Sequence, residues 1–240
     1  MAAGAAARAK WCAVAQSAFR DRQDAAERLA QELRGIPLRD PLVLAIPRGG
    51  AVTGSVLARR LGAELDVVLA RKLGAPGRPE LAVGAVSEDG AVYLDQAVCA
   101  AVGTDRDYLE RQRRRQLREI ERRGKLIRAV RPPASARERS VILTDDGIAT
   151  GATMIAALHA VKSQGPHEII VAVPVAAPGP LHALRGCCDR VVCLLEPQFL
   201  WAISEFYASF DPVEDEQVVK LLRDHAAQRA SAAPAPGAGG

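Results

Sequence analysis

The chain has 240 residues, 49% of them hydrophobic and 25% charged, with a formal net charge of +4. That balance fits ordinary soluble globular protein with enough apolar material for one core, and it is too mildly basic to require a nucleic-acid partner. No apolar run approaches the ~20 residues of a membrane span. The five cysteines, Cys12, Cys99, Cys187, Cys188 and Cys193, are odd in number and lack C-x-x-C spacing. They read as reduced thiols in a cytoplasmic protein rather than as a disulfide framework or a zinc site.

Residues 1–17 are alanine-rich, with Arg8 and Lys10 and no acid before Asp21. The apolar piece at 11–15 is too short for a secretory signal, so a disordered extension or a misplaced start fits better than a targeting segment. The folded chain is expected to begin near Phe19. Ala25, Leu29, Ala30 and Leu33 recur at helical spacing, and Gly35 ends that helix. Residues 42–46 are a continuous apolar strand, followed by Pro47-Arg48-Gly49-Gly50 and a helix over 51–61. The two glycines allow close backbone approach to an anion, and Arg48 adds positive charge.

A second buried strand is predicted at 65–69, with Arg71 and Lys72 at its carboxyl end. Residues 74–79 hold two glycines and two prolines and read as loop. Strands at 81–86 and 91–94 follow, joined by the turn at 87–90. A helix is predicted over 105–127, with Thr104 as N-cap and Asp107 at N3. Its apolar stripe is thin, and arginines at 106, 111, 113, 114, 115, 118, 122 and 123 crowd the rest. These could make a nucleic-acid-binding face. The interleaved Glu110, Glu119 and Glu121, and the lack of an aromatic platform, favour a solvated face instead. Residues 132–140 link to the next strand.

Residues 141–154 read Val-Ile-Leu-Thr-Asp-Asp-Gly-Ile-Ala-Thr-Gly-Ala-Thr-Met. An apolar strand ends in Asp145 and Asp146, placed at a solvent-facing strand end. A tight loop of small and hydroxyl residues then enters a helix at about Ala152. Small residues, two threonine hydroxyls and a helix N-terminus suit a phosphate. The two carboxylates would repel that phosphate and need sugar hydroxyls or a hydrated Mg²⁺ as partner. A ribose 5-phosphate meets both demands. Beyond it lie a helix to about 163, a strand at 168–175, a helix at 179–186 and a strand at 190–195. Phe199, Trp201, Phe206, Tyr207 and Phe210 then gather most of the chain's aromatics. A helix at 215–222 closes the fold, and the Ala/Pro/Gly/Ser-rich stretch 226–240 is expected to be a disordered tail.

The strand, the acid pair and Ala149-Thr150-Gly151-Ala152-Thr153 resemble the phosphoribosyl pyrophosphate (PRPP) signature of the type I phosphoribosyltransferases. The resemblance implies a single α/β domain at 18–225, with a mostly parallel five-stranded sheet flanked by helices. A small hood would come from 18–40 and 196–225. It implies Mg²⁺-dependent transfer of phosphoribosyl from PRPP to a nucleobase-like acceptor in a homodimer, without membrane or nucleic acid. Arg48, Gly49 and Gly50 match the family's pyrophosphate loop, with a non-proline cis peptide at Pro47–Arg48. Arg71, Lys72 and the loop after them resemble its flexible catalytic loop, although a plain hairpin with two surface cations would look the same.

PRPP binding is thereby assigned to Arg48, Gly49, Gly50, Arg71, Lys72, Asp145, Asp146, Gly147, Ala149, Thr150, Gly151, Ala152 and Thr153, and metal binding to Asp145 and Asp146. Asp145, Asp146, Arg71 and Lys72 are assigned catalytic roles. Glu88 joins them, matching a glutamate that adenine phosphoribosyltransferases place after that loop. Phe199 is the candidate for stacking on the base, standing eight residues before Tyr207 as in the 6-oxopurine enzymes. Those enzymes carry an acid where Ala149 stands, which disfavours hypoxanthine and guanine here. Two other readings share the site: a PRPP-sensing regulator that binds nucleic acid, and a catalytically silent homologue.

Overall fold

Five apolar runs build the centre of the protein. The structure is a computed structural model that describes residues 18–232. β1 (Leu42–Ala45), β2 (Glu64–Val67), β6 (Ser140–Thr144), β7 (Glu168–Val175) and β8 (Arg190–Leu195) form one sheet in the order β2-β1-β6-β7-β8. Every pairing in it is parallel. β1 and β6 are buried at every position, as strands covered on both faces must be.

Successive side chains go to opposite faces. Val43, Ile142 and Ile170 enter the core beneath α1 (Arg22–Leu33), α2 (Gly50–Leu61) and α7 (Asp215–Ala232). Leu42, Leu44, Val141, Leu143 and Val171 enter the one beneath α5 (Ala152–Lys162) and α6 (Pro178–Arg185). Among the described residues no helix is long and apolar enough to cross a membrane, and Cys99, Cys187, Cys188 and Cys193 are free thiols.

The segment between β2 and β6 departs from expectation. β3 (Ala70–Ala75), β4 (Arg78–Ser87) and β5 (Val92–Leu94) form a separate antiparallel sheet. The breakers at 74–79 therefore do not make a long loop. Gly77, at φ 68°, turns a tight hairpin, and the register shifts at Gly74. A Cβ on Gly74 would stand 2.8 Å from the Pro79 carbonyl oxygen, so the bulge needs glycine. A short helix unforeseen in the sequence, α3 (Gln96–Val102), is capped by Asp95. The arginine-rich helix α4 (Arg106–Arg128) is capped by Asp105, not Thr104, through a bond from the Tyr108 N–H.

The hood forms where the chain start meets the region after β8. Phe19 bridges to Tyr207, and Phe19, Tyr207, Phe206 and Phe210 cluster there beside a 3₁₀ turn (Ile203–Phe206). The closing helix runs ten residues past its predicted end, to Ala232, because its alanines favour helix over the tail that composition suggested. The expectations for 1–17 and 233–240 lie outside the described residues.

Candidate active site

The sheet order places its switch point between β1 and β6. From β1 the chain crosses through α2 to β2 on one side; from β6 it crosses through α5 to β7 on the other. A crevice opens at the carboxyl ends of two such strands, where open α/β sheets bind ligands. The loops 47–50 and 145–151 meet there.

Their contact is close. A Cβ on Gly49 would lie 1.8 Å from Asp146 Oδ2, and one on Gly50 would lie 2.8 Å from Asp145 Cα. The Pro47–Arg48 peptide is cis. Arg48 turns its guanidinium outward to Glu214, at 2.5 Å, so the loop presents its backbone inward and its charge at the rim.

The two acids are half-buried rather than solvent-facing, and they are not equivalent. Asp145 Oδ1 accepts the Asp146 N–H at 2.8 Å. Asp146 Oδ2 accepts Arg22 Nε at 2.8 Å, and its carbonyl accepts the Tyr207 hydroxyl at 2.6 Å. Arg22 is fixed in turn: Nη1 donates to the Asp211 carbonyl at 2.8 Å, and the guanidinium carbon sits 3.6 Å from the Phe210 ring centroid. Of the two adjacent carboxylates, Arg22 thus pairs with Asp146. Burial, and then the Asp146 charge, push Asp145 well above the usual carboxylate range, with Arg22 opposing only weakly.

Past the acids, Gly147 packs on Ile203 and Val175; a Cβ there would meet Ile203 at 2.6 Å. Ile148 is tied to β7's end by bonds with Val175 and Ala177. Ala149 and Thr150 are exposed, and Gly151 takes φ 77° to enter α5. No side chain caps that helix, so its first-turn N–H groups face the crevice without a built-in acceptor, an arrangement suited to an anion. Ala152 and Thr153 form the first turn. Thr153 also lines a cavity of about 340 Å³ with Pro47, Arg71 and Lys72. The loops after β1 and β6 and the cations of β3 therefore converge.

Glu88 and Phe199 do not line this cavity. β4 carries Glu88 to the β2 side, where Arg128 holds it at 2.9 Å. It lines a second cavity, of about 690 Å³, with Asp66 and Arg128, and this cavity shares Val68, Leu69 and Ile120 with the first. The antiparallel return of β4 sets that placement, which distance from Arg71-Lys72 along the sequence could not reveal. Phe199 stands 77% exposed on the segment after β8, as does Trp201 at 85%. Tyr207, the spacing reference for Phe199, is buried in the hood.

Sequence reasoning missed Arg22. Nothing local marks it, since its partner is 124 residues away. Among the described residues no group of three or more His, Cys, Asp or Glu side chains could hold a metal unaided. Asp145 and Asp146 nevertheless fit a Mg²⁺ that brings most of its oxygens from phosphates and water. With Arg22 neutralising one acid, a second positive charge is what would let both ionise.

The chain matches the phosphoribosyl transferase domain over residues 16–210. It is 37% identical over 204 residues to proteins from two strains of Mycobacterium tuberculosis, H37Rv and CDC 1551, that carry provisional phosphoribosyl transferase names. The matched region is 85% of this chain and 46% of theirs, so the chain spans about half the length of the curated relatives it matches. The crystal structure of TT1426 from Thermus thermophilus superposes with a TM-score of 0.80 at 46% identity, covering 86% of this chain and 98% of that one.

Proposed function

Because the chain belongs to the phosphoribosyltransferase family, we propose that it transfers the 5-phosphoribosyl group of PRPP to a nitrogenous base and releases pyrophosphate. The observation that carries this reading is the junction of the two loops, with Gly49 and Gly50 seated on Asp145 and Asp146. Glycine-lined backbone, an acid pair and an uncapped helix N-terminus at one crevice suit a sugar phosphate bearing a second anionic arm.

In this reading Asp145 and Asp146 face the ribose 2- and 3-hydroxyls. They favour positive charge at C1 as the bond to pyrophosphate breaks. The 5-phosphate lies on Gly147, Ala149, Thr150, Gly151, Ala152 and Thr153. The backbone of Arg48, Gly49 and Gly50, with Arg71 and Lys72, takes the leaving pyrophosphate. Mg²⁺ bound with PRPP would spread the charge of that leaving group, with Asp145 and Asp146 as the protein's share of its ligands. Phe199 stays the candidate platform for the base, and Ala149 offers a methyl where a proton-transferring acid would favour 6-oxopurines. A cytoplasmic homodimer in nucleotide metabolism completes the proposal.

The test is a screen of purine and pyrimidine bases for PRPP-dependent pyrophosphate release with Mg²⁺. Release with one base, and adenine above hypoxanthine and guanine, supports the reading. No release with any base, together with no PRPP binding, overturns it.

A further inference from the structure

The arginine-rich helix has a face that is not solvated in the ordinary sense. Tyr108, Gln112, Arg115, Gln116, Glu119 and Arg123 recur three and four residues apart on α4 and line the 340 Å³ cavity that Pro47, Arg71, Lys72 and Thr153 also line. The helix is bound to the β3–β4 hairpin across that cavity. Tyr108 donates its hydroxyl to the Gly74 carbonyl at 2.8 Å, and Arg71 Nε donates to Gln116 at 3.0 Å.

We propose that α4 forms a fixed cationic wall for the pyrophosphate end of the substrate, with Arg123 inside and Arg115 at the rim, facing Arg71. The inference rests on the phosphoribosyltransferase reading and adds to it two binding residues from an element outside the sequence signature.

Charge and geometry support it together. Arg71, Arg115 and Arg123 line the cavity with one acid, Glu119, which opposes their charge at Arg71 and also lies 3.6 Å from Arg122. Arg123 Nε is buried and has no hydrogen-bond partner among the described residues. The Asp215 carboxylate, at 3.8 Å, is close enough to attract it but too far to accept from it. Burial and then the charge of Arg123 lower the hold of Arg71 on its proton, with Glu119 opposing and Arg115 adding a smaller push. A cluster of like charges around a cavity is unfavourable until an anion enters. Guanidinium groups match phosphate oxygens in both charge and shape. A cavity this small admits a compact anion and not a duplex, which separates this role from nucleic-acid binding.

The test is calorimetric titration of inorganic pyrophosphate and, separately, ribose 5-phosphate, each with Mg²⁺, into the full chain and its variants. Arg123→Met should weaken pyrophosphate binding by about tenfold or more and leave ribose 5-phosphate nearly unchanged. Arg115→Met should act in the same direction but less, and Arg118→Met, on the exposed side of α4, should do nothing. Arg123→Lys, which keeps the charge and loses the fork, should fall between wild type and Arg123→Met. If wild type binds ribose 5-phosphate while Arg123→Met and Arg115→Met bind pyrophosphate as wild type does, the wall is wrong and the family reading stands. If wild type binds neither ligand, the family reading fails first. If Arg123→Met loses ribose 5-phosphate as well, its fold is in question and Arg115→Met decides: unchanged pyrophosphate affinity there overturns the proposal.

Discussion

The guanidinium of Arg22 and the carboxylate of Asp146 lie 124 residues apart in the sequence and 2.8 Å apart in space. The pair ties the first helix to the loop after β6, and the hood aromatics close over it through Phe210 and the Tyr207 hydroxyl. It makes the acid pair tolerable in a half-buried place and fixes the Asp146 side chain against Gly49.

Replacing Arg22 therefore acts on stability before chemistry. Arg22→Met leaves the mostly buried Asp146 carboxyl group without its cation. Breaking a pair of this kind costs about 3 kcal/mol, or a Tm lower by roughly 6–12 °C in a domain of this size. Differential scanning calorimetry checks it. A Tm within a degree of wild type would mean that water or another cation serves Asp146 equally well.

The two acids should respond in opposite directions. Burial and the Asp146 charge raise Asp145 above its free value of 3.8, so the native state keeps a proton that the unfolded chain has already lost. The unfolded state then binds fewer protons, and stability falls as pH rises from about 3.8 toward the folded value. Asp145→Asn removes that slope and should unfold at a higher temperature than wild type at neutral pH. Asp146→Asn weakens the Arg22 contact and should unfold at a lower one. Both should lose PRPP turnover by on the order of 10²-fold or more. Equal Tm shifts for the two variants would show that Asp145 is ionised in the free protein. Full turnover in both would remove the loop from the chemistry.

Gly49 is a steric requirement, not a conformational one. Its φ of −58° is open to any residue, yet a Cβ would fall 1.8 Å from Asp146 Oδ2 and 3.1 Å from Arg22 Nε. Gly49→Ala must separate the two loops. A shift of that size at a reacting centre costs on the order of 10²-fold in kcat/KM, and Tm should fall as well. Gly35→Ala is the control for a glycine replacement far from the crevice: a Cβ there meets nothing within 4 Å, although its φ of 87° adds local strain. It should lower Tm and spare turnover per folded molecule.

The parts legible in the sequence were those written locally. Residues 42–46 and 141–143 are unbroken apolar runs, and their exits carry glycines or acids within a few residues. The crevice and its loops could therefore be placed from the text alone. What could not be placed depends on the return path of the chain. Arg22 looks like any helix-start arginine until the fold brings it to Asp146. The α4 arginines look solvated because acids interleave along the sequence, but one helical stripe of them faces Arg71. The 74–79 breakers describe a bulged hairpin as well as a loop, since glycine and proline mark both. Register decides between them, and register is a property of pairing with β4.

Glu88 is where register changes the chemistry. In the sequence it follows Arg71-Lys72 at the distance of a catalytic glutamate. In the fold it sits against Arg128, which also holds Asp66 at 2.8 Å, and Asp66 is 1% exposed. A carboxylate whose two oxygens both accept from a guanidinium is committed to that cation, and Arg128 would have to release it before it could move a proton on a bound base. Its neighbour Arg128 would remain compensated by Asp66 after Glu88→Gln, and the amide oxygen could still accept a bond. The expected outcome is a kcat within ~2-fold of wild type and an unchanged KM for PRPP. A stability signature should replace the kinetic one. Burial raises Glu88 above 4.5, with Arg128 opposing, so the native state retains the proton longer and stability falls as pH rises past that value. Glu88→Gln should flatten the Tm–pH curve there. A tenfold loss of kcat at constant KM would return Glu88 to the mechanism, and would require the β4–β5 turn to swing its carboxylate away from Arg128 toward the crevice during turnover.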